Sequence, residues 1–428
     1  MKHFGTDGIR ALNECFTQSY LQKIALGIAS IGKDMTVAMG RDTRVSGRYI
    51  ESQLLETLTK YGVNVITLGI VPSPTLAYLT SFLRCDYGIM LSASHNPPEY
   101  NGIKLFTSQG EKISQELEKK IESVIDNPVP FVAKQGKVTS YSGSDHYIGY
   151  LLEKINPDLS GVKVMLDTAN GATSIIAPRL FSMAGASVIH INGETDGINI
   201  NKDCGATATD CLMKAMEESD ADIGFSFDGD GDRVKCVYKR KLYDGDHIMY
   251  VHCKVLKEKN KLKDNVMVST VMSNLGTERA CQRSGIRLVR AKVGDKNVYY
   301  EMKKHGYNVG GEESGHVIFS DYIKTGDGMV TALLTACLNK EISIDLLDDI
   351  VEFPSVSDQI RCNKENIQRF NGNKEIKEYL ENIDNNYRIV VRPSGTEPMV
   401  RILVESENLL DAQNKANEIK EFIKERIL

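Results

Sequence analysis

The chain alternates helical and strand-like segments from its N-terminal region onward, and this order constrains its fold more than any other feature. Apolar residues recur at helical spacing over residues 20–31, and a strand-like run follows at 35–39. A helical stretch near 51–61 and a strand at 63–68 continue the order. Such alternation, punctuated by Gly and Pro, predicts layers of α-helix on β-sheet.

The same alternation returns twice more along the 428 residues. In the second stretch we predict strands at 162–166, 187–191 and 223–227 and a helix at 175–184. In the third we predict strands at 266–271 and 287–291 around a helix at 277–284. These stretches therefore indicate three related α/β units, although their sequences are too dissimilar to form a repeat.

The C-terminal stretch has a different pattern. Predicted strands at 387–391 and 400–404 flank a loop, and a long amphipathic helix follows. One face of that helix is predicted to contain Leu409, Ala412, Ala416, Ile419 and Ile423. We therefore expect an α/β fold of three related mixed α/β domains and a smaller α+β C-terminal domain, with boundaries at 1–145, 146–248, 249–360 and 361–428.

Composition narrows the class of protein. A net charge of −5 with no long Lys/Arg block argues against nucleic-acid binding. The N-terminus lacks a signal-like apolar run, and no stretch reaches the roughly 18 apolar residues that span a bilayer. Nine cysteines without any CxxC spacing favour reduced thiols. We expect a soluble cytoplasmic protein that binds neither nucleic acid nor membranes.

A loop rich in carboxylates follows the predicted strand at 223–227. Asp228, Asp230 and Asp232 alternate with glycines, and Arg233 comes next. Three converging carboxylates suit a hard divalent cation. An EF-hand is excluded, because its sixth and twelfth positions would be Arg233 and Lys239 instead of Gly and Glu. The alternative is a solvated acidic turn, whose like charges would repel one another.

A second loop follows a predicted strand at 87–91. It contains Ser92, Ser94 and His95, and Lys104 lies shortly beyond it. A hydroxyl beside an imidazole and near a lysine is a candidate nucleophile. Spacing alone does not rank Ser92 against Ser94, and a plain Asx- or ST-turn remains the alternative.

A third loop combines paired carboxylates with a hydroxyl and an imidazole. Glu312, Glu313, Ser314 and His316 stand among glycines, and such groups can bind sugar hydroxyls and move protons. The alternative is an ordinary turn.

A fourth loop lies between the two strands predicted near the C-terminus. Residues 392–398, with Arg401 beyond them, supply guanidinium groups, hydroxyls and a glycine, which suit a phosphate. A plain hairpin turn remains the alternative.

Taken together and in this order, the segments resemble the α-D-phosphohexomutase family over nearly the whole chain. The matching segments are residues 4–10, 40–44, 92–97, 167–172, 199–207, 228–233, 292–295, 311–316 and 392–398. The resemblance is strongest to the branch that acts on glucosamine phosphates. It implies four domains around one central active-site cleft, which agrees with the four units described above.

The resemblance also implies roles for single residues. Ser94 would carry a phosphoryl group, and its phosphate would join Asp228, Asp230 and Asp232 in holding Mg²⁺. Glu312 and Ser314 would bind sugar hydroxyls. The non-reacting phosphate would be bound by Arg392, Ser394, Gly395, Thr396 and, beyond that loop, Arg401. The cleft would be lined by Arg10, Lys104, Arg233, Lys292 and His316, with Lys104 and His316 as the proton carriers.

The activity implied is the interconversion of glucosamine 6-phosphate and glucosamine 1-phosphate through a sugar 1,6-bisphosphate, on the route to UDP-GlcNAc and the cell wall. A homodimer is also what the family suggests. Glu313 and Thr168 stand where this branch usually has Gln and Cys. Three alternatives stay open: a phosphomannomutase/phosphoglucomutase, a serine-dependent metal phosphatase, and a catalytically silent sugar-phosphate-binding protein.

Overall fold

The computed structural model of the chain describes residues 3–5, 7–128, 134–342, 344–384, 386–394 and 398–428. The chain divides into two compact units. The first contains Met1–Thr270 and Ala291–Leu347, and the second contains Val271–Arg290 and Asp348–Leu428.

The first unit begins with a six-stranded sheet in the order β1-β5-β4-β2-β3-β6. Its strands are β1 (Ile9–Leu12), β2 (Thr36–Arg41), β3 (Asn64–Ile70), β4 (Tyr87–Leu91), β5 (Tyr100–Thr107) and β6 (Val138–Ser140). Its helices are α1 (Gln18–Ala29), α2 (Val45–Lys60), α3 (Ser73–Phe82) and α4 (Gln115–Asp126). Strand β2 pairs in parallel with β3 and β4, as helical crossovers require. Ile24, Leu54 and Ile89 are among the buried side chains that join these helices to the sheet.

The second sheet of this unit has the order β11-β10-β9-β7-β8. Its strands are β7 (Lys163–Asp167), β8 (Ser187–Ile191), β9 (Ile223–Phe227), β10 (Val234–Tyr238) and β11 (Lys241–Tyr243), and the accompanying helices are α5 (Ser144–Ile155), α6 (Thr173–Met183) and α7 (Asp210–Glu217). Every residue of β9 is buried, as expected for a central strand covered on both faces. The turn from β9 into its antiparallel neighbour β10 contains the carboxylate loop.

The next elements along the chain are α8 (Gly245–Glu258), β12 (Val266–Thr270), α9 (Leu275–Arg283), β13 (Arg287–Ala291), α10 (Asp295–His305), β14 (Val309–Gly311), β15 (Val317–Phe319) and α11 (Gly328–Ile342). Within the first unit, β12 pairs in parallel with β14, and β14 pairs antiparallel with β15. The connection between β14 and β15 is the loop of residues 312–316.

The second unit ends in a three-stranded antiparallel sheet of order β16-β18-β17. Its elements are β16 (Ser355–Arg361), α12 (Lys364–Gly372), α13 (Lys374–Glu381), β17 (Arg388–Pro393), β18 (Met399–Glu405) and α14 (Leu409–Ile427). Helix α14 buries Ala412, Ala416, Ile419 and Ile423 in the core that it shares with this sheet. Leu409 has the helical spacing of that face but lies in the first turn, where it is 58% exposed.

Several predicted strands match the structure at both ends, namely those at 87–91, 187–191, 223–227 and 287–291. The helix predicted to begin near residue 51 begins at Val45 in the structure. The prediction began too late because the first turns of this helix are mostly polar and show no apolar periodicity. Among the described residues, no helix is both long and apolar enough to cross a bilayer.

Candidate active site

Ser94 lies in the loop that leaves β4 and is completely buried. Its Oγ donates a hydrogen bond to Asp228 Oδ2 at 2.7 Å, across 134 positions of sequence. Ser92, by contrast, accepts a bond from the Ser94 backbone N–H and donates one to Asp42 Oδ2 at 2.7 Å. The geometry therefore separates the two serines: Ser94 faces the carboxylate loop, and Ser92 supports the backbone.

The imidazole next to the nucleophile candidate is His95. Its Nδ1 lies 3.5 Å from Ser94 Oγ, at the outer limit of a hydrogen bond. Burial lowers the pKa of His95 to about 4, so the ring is neutral near pH 7.

The carboxylate loop brings its three acids together out of solvent. Asp228 and Asp230 are 0% exposed and Asp232 is 4% exposed, and one oxygen from each lies within 4.8 Å of the others. Asp230 Oδ1 and Asp232 Oδ1 are buried without a hydrogen-bond partner among the described residues. Burial, and then the charges of Asp232 and Asp230, raise the pKa of Asp228 well above its usual value. Buried carboxylate oxygens that lack donors fit a hard divalent cation.

Lys104 extends from β5 into the same cluster. Its Nζ lies 2.7 Å from Asp230 Oδ2, 3.3 Å from Asp232 Oδ2 and 2.9 Å from Asp7 Oδ2. Burial opposes the charge on Lys104, but these three carboxylates outweigh it and raise the pKa well above its usual value. Lys104 is therefore an ammonium ion in this arrangement.

His316 ends the loop between β14 and β15 and is 2% exposed. Its Nδ1 lies 3.7 Å from Asp232 Oδ2 and its Nε2 lies 3.5 Å from Asp295 Oδ2. Burial acts to lower its pKa, but the two carboxylates raise it overall. In the neutral ring, Nε2 accepts a bond from the Gly326 backbone N–H at 3.1 Å. Protonation of Nε2 would end that bond, so the two states of the ring differ by one hydrogen bond.

Two arginines beside the cluster retain unused donors. Arg10 pairs with Asp7 and donates to Asn96 Oδ1 at 3.1 Å. The Arg233 side chain lies 3.9 Å from Asp232 Oδ1. The Nε groups of both arginines are buried and have no hydrogen-bond partner within the described ranges. Such donors suit the oxygens of an anionic ligand.

The predicted sugar loop also belongs to the first unit. Glu312 Oε1 accepts from the Gly294 backbone N–H at 3.0 Å, which ties the loop to the start of α10. Ser314 Oγ is buried and lacks a partner in the part of the chain that the structure describes. Glu313 is exposed, and its carbonyl accepts from the Gly245 N–H at 3.0 Å. Lys292 is exposed as well.

The predicted phosphate loop belongs to the second unit. Arg392 on β17 and Arg401 on β18 are partners in the antiparallel register, and both line a cavity of about 430 Å³. The Ser394 backbone N–H donates to the Met399 carbonyl at 2.8 Å. Gly395 and Thr396 lie outside the described residues.

Sequence reasoning missed several residues that complete the charged cluster. Ser73 donates through its Oγ to Asp230 Oδ2 at 2.5 Å. Lys112 pairs with both Asp7 and Asp295, and so joins the N-terminal segment to α10. Asp7 and Asp295 lay in segments that carried the family resemblance, whereas Ser73 and Lys112 gave no signal in the sequence.

Family models match this chain over most of its length. Four models of phosphoglucomutase/phosphomannomutase match in chain order: alpha/beta/alpha domain I at residues 1–129, domain II at 145–241, domain III at 244–352, and the C-terminal domain at 358–422. They confirm the predicted α/β fold class with its smaller C-terminal domain. The fold and these matches define an enzyme of the isomerase class, a phosphomutase.

Curated relatives match along the full length of the chain. The phosphoglucosamine mutase of Clostridioides difficile is 40% identical, with 100% of this chain and 99% of that protein covered. The phosphoglucosamine mutase of Geobacillus thermodenitrificans is 42% identical, with 95% and 94% covered. The chain belongs to the phosphoglucomutase/phosphomannomutase family, the α-D-phosphohexomutases.

A solved structure shows the same fold at lower identity. A phosphoglucomutase/phosphomannomutase family protein from Burkholderia thailandensis superimposes with a TM-score of 0.83 at 23% identity, covering 98% of this chain and 97% of that one.

Proposed function

We propose that this enzyme interconverts glucosamine 6-phosphate and glucosamine 1-phosphate through a phosphorylated Ser94. The observation that carries the proposal is the buried Ser94 Oγ at 2.7 Å from Asp228 Oδ2. The full-length relatives named phosphoglucosamine mutase support the choice of sugar over mannose or glucose phosphates. The product would supply UDP-GlcNAc synthesis for the cell wall.

The phosphoryl group would pass between Ser94 and the sugar in two steps. First, a hydroxyl of the sugar phosphate attacks the phosphoserine: the new P–O bond to the sugar forms, the bond to Ser94 Oγ breaks, and a sugar 1,6-bisphosphate results. After this intermediate turns over, Ser94 Oγ attacks its other phosphate and regains a phosphoryl group, which releases the isomerised monophosphate. A covalent carrier avoids transfer to water, because the group is always esterified.

Asp228, Asp230 and Asp232 would hold Mg²⁺, together with an oxygen of the Ser94 phosphate. One oxygen of Asp230 and one of Asp232 lack a hydrogen-bond partner within the described part of the chain, which fits this role. A structure of the Aspergillus fumigatus N-acetylphosphoglucosamine mutase, which is 16% identical, contains GlcNAc-6P and magnesium. When bound, the ion would supply charge stabilisation to the transferring phosphoryl group.

Lys104, Arg10 and Arg233 would add fixed positive charge beside that group. Lys104 is held as an ammonium, so it can donate a proton to an oxygen but cannot accept one. His316 can accept a proton at Nε2 only after it gives up the bond from the Gly326 N–H. We therefore propose Lys104 as the acid and His316 as the base in proton transfer.

The sugar and its second phosphate would be recognised by separate loops. In the first unit, we propose that Glu312, Ser314 and Lys292 bind the sugar, since Ser314 Oγ has an unused hydrogen-bonding capacity among the described residues. In the second unit, we propose that the non-reacting phosphate is bound by Arg392, Ser394, Gly395, Thr396 and Arg401. The predicted homodimer and cytoplasmic location stay predictions.

The test is a comparison of substrates with the purified, phosphorylated enzyme. We expect kcat/KM for glucosamine 6-phosphate to exceed that for mannose 1-phosphate and glucose 1-phosphate. A higher value for mannose 1-phosphate or glucose 1-phosphate would refute the assigned sugar. Released inorganic phosphate without isomerised product would instead identify a phosphatase.

A further inference from the structure

We infer that Arg44 and Asn201 are positioning residues that fix Ser94 by binding its backbone carbonyl from two sides. The inference rests on the proposed role of Ser94. Arg44 Nη2 donates to the Ser94 carbonyl at 3.0 Å, and Asn201 Nδ2 donates to the same oxygen at 2.8 Å. Among the described residues the Ser94 hydroxyl has Asp228 and His95 as its hydrogen-bond partners, so Arg44 and Asn201 would act on it through the backbone.

Arg44 donates hydrogen bonds to several backbone carbonyls of the segment that contains Ser94. It is 0% exposed, and its Nε pairs with Asp42 Oδ2 at 2.9 Å. Its terminal nitrogens donate to four loop carbonyls, those of Ser94, Asn96, Pro97 and Tyr100, at distances of 2.5 to 3.0 Å. A planar guanidinium can make these bonds at fixed angles, which the single ammonium of a lysine cannot.

Asn201 reaches the same loop from the segment after β8. Its amide also donates to the Asn96 carbonyl, at 3.0 Å. Asn201 has a left-handed backbone, with φ of 58°, a conformation that asparagine tolerates better than most residues. The connection between β8 and α7 therefore supplies one side-chain amide, that of Asn201, which donates to the carbonyls of Ser94 and Asn96.

Ser94 needs this support because its own backbone is left-handed, with φ of 53°. A serine gains nothing intrinsic from that conformation, so the surrounding bonds must maintain it. Its N–H is held by Ser92 Oγ, whose hydroxyl donates to Asp42, and Asp42 pairs with Arg44. The bonds to the N–H and the carbonyl together fix the backbone from which Oγ reaches Asp228, and a fixed position of the reacting group favours transfer.

The sharpest variant is Asn201→Asp. It keeps the size and the left-handed tolerance of the side chain but replaces the N–H₂ donor with an anion facing two carbonyls. The matched control is Asn260→Asp, at an exposed asparagine with a similar φ of 54°. We expect Asn201→Asp to lower kcat by about 10- to 100-fold, the scale of a 1 Å misplacement, with KM for glucosamine 6-phosphate little changed. Asn260→Asp should retain wild-type kcat.

A second variant, Arg44→Lys, and a second measurement, the rate of Ser94 phosphorylation, separate the proposed role from a loss of stability and from the choice of sugar. Arg44→Lys retains the buried charge but not the fork, and it should slow the phosphorylation of Ser94 by glucose 1,6-bisphosphate, as Asn201→Asp should. Slowed phosphorylation in an Asn201→Asp protein whose melting temperature matches that of Asn260→Asp would support the inference. Wild-type kcat and phosphorylation rate in Asn201→Asp, or an effect on KM alone, would overturn it. If the wild-type enzyme does not convert glucosamine 6-phosphate, the proposed sugar is refuted. The rates of Ser94 phosphorylation would still test the roles of Arg44 and Asn201, because they do not depend on that sugar.

Discussion

The loop that contains Ser94 and the strand pair β17–β18, which contains Arg392 and Arg401, differ in how deeply their candidate site residues are buried. In the first unit, Ser94, Asp228 and Asp230 are completely buried, and the backbone of the loop that contains Ser94 is bound by side chains from the connections that follow β2 and β8. In the second unit, Arg392 and Ser394 are half-buried and Arg401 is exposed.

The difference in burial indicates that the two regions have different roles, one in the chemical step and one in substrate binding. Buried charges that are fixed by neighbours need no rearrangement when charge develops in the transition state, so the first unit is suited to chemistry. Guanidinium groups that solvent can reach are suited to binding an anion, so the second unit is suited to binding substrate. Substitutions in the first region should therefore change kcat or metal dependence, and those in the second should change KM.

The largest effect is expected at Ser94, the proposed nucleophile. If Ser94 carries the phosphoryl group as proposed, Ser94→Ala should lower mutase turnover by at least about 10³-fold, because the variant has no hydroxyl to phosphorylate. The measurement is steady-state conversion of glucosamine 6-phosphate by the purified variant. The control is Ser108→Ala, at an exposed serine in the same part of the chain. Near-normal turnover in Ser94→Ala would refute the phosphoserine role.

The next effect tests the carboxylate cluster. Asp230→Asn should raise the Mg²⁺ concentration for half-maximal activity by about 100-fold, since even residues around metal ligands matter by 10- to 100-fold. Titration of activity with Mg²⁺ measures this shift. Asp220→Asn, at an acid whose side chain is 79% exposed, serves as the control. The same midpoint in Asp230→Asn and wild type would remove Asp230 from the metal site.

The second region gives a smaller effect of a different kind. Arg392→Ala should raise KM for glucosamine 6-phosphate by about 10-fold and leave kcat within a few-fold, because a hydrogen bond to a charged group is worth about 1.5–3 kcal/mol. Initial rates over a range of substrate concentrations separate the two constants. The exposed Arg369 supplies the control variant, Arg369→Ala. A fall in kcat without a change in KM would contradict the different roles assigned to the two regions.

The smallest effect on activity, and the clearest on stability, is expected at Asp327. Burial raises the pKa of this carboxyl from 3.8 to about 6. The folded state therefore binds its proton more tightly than the unfolded state, and this contribution to stability is present at low pH and is lost as pH rises through about 6. By this linkage the contribution amounts to about 3 kcal/mol between pH 4 and pH 7.

Asp327→Asn should remove that contribution, so its free energy of unfolding should fall less than that of the wild type between pH 4 and pH 7. Urea unfolding at several pH values measures the difference. Asp411→Asn, at an exposed acid in α14, is the control. Parallel stability curves for Asp327→Asn and the wild type would show that burial does not perturb this carboxyl.

The sequence predicted those features that depend on local pattern. The strand at Ile223–Phe227 and the carboxylate turn after it follow from an apolar run and alternating Asp and Gly. The choice between Ser92 and Ser94 did not follow from local pattern, because it depends on the contact of Ser94 with Asp228. The partners of Lys104 were hidden for the same reason. Asp7 meets it through the pairing of β1 with β5, and Asp230 and Asp232 meet it from a turn of the second sheet.

The most direct test of the account is to follow the phosphate on Ser94 by mass spectrometry. The enzyme is phosphorylated with glucose 1,6-bisphosphate, the modified residue is mapped, and glucosamine 6-phosphate is then added in excess. We predict one phosphate on Ser94 in the charged enzyme, its loss to the sugar within one turnover, and its return as glucosamine 1-phosphate accumulates. Accumulation of glucosamine 1-phosphate at the full rate by an enzyme whose Ser94 is never phosphorylated would contradict the account.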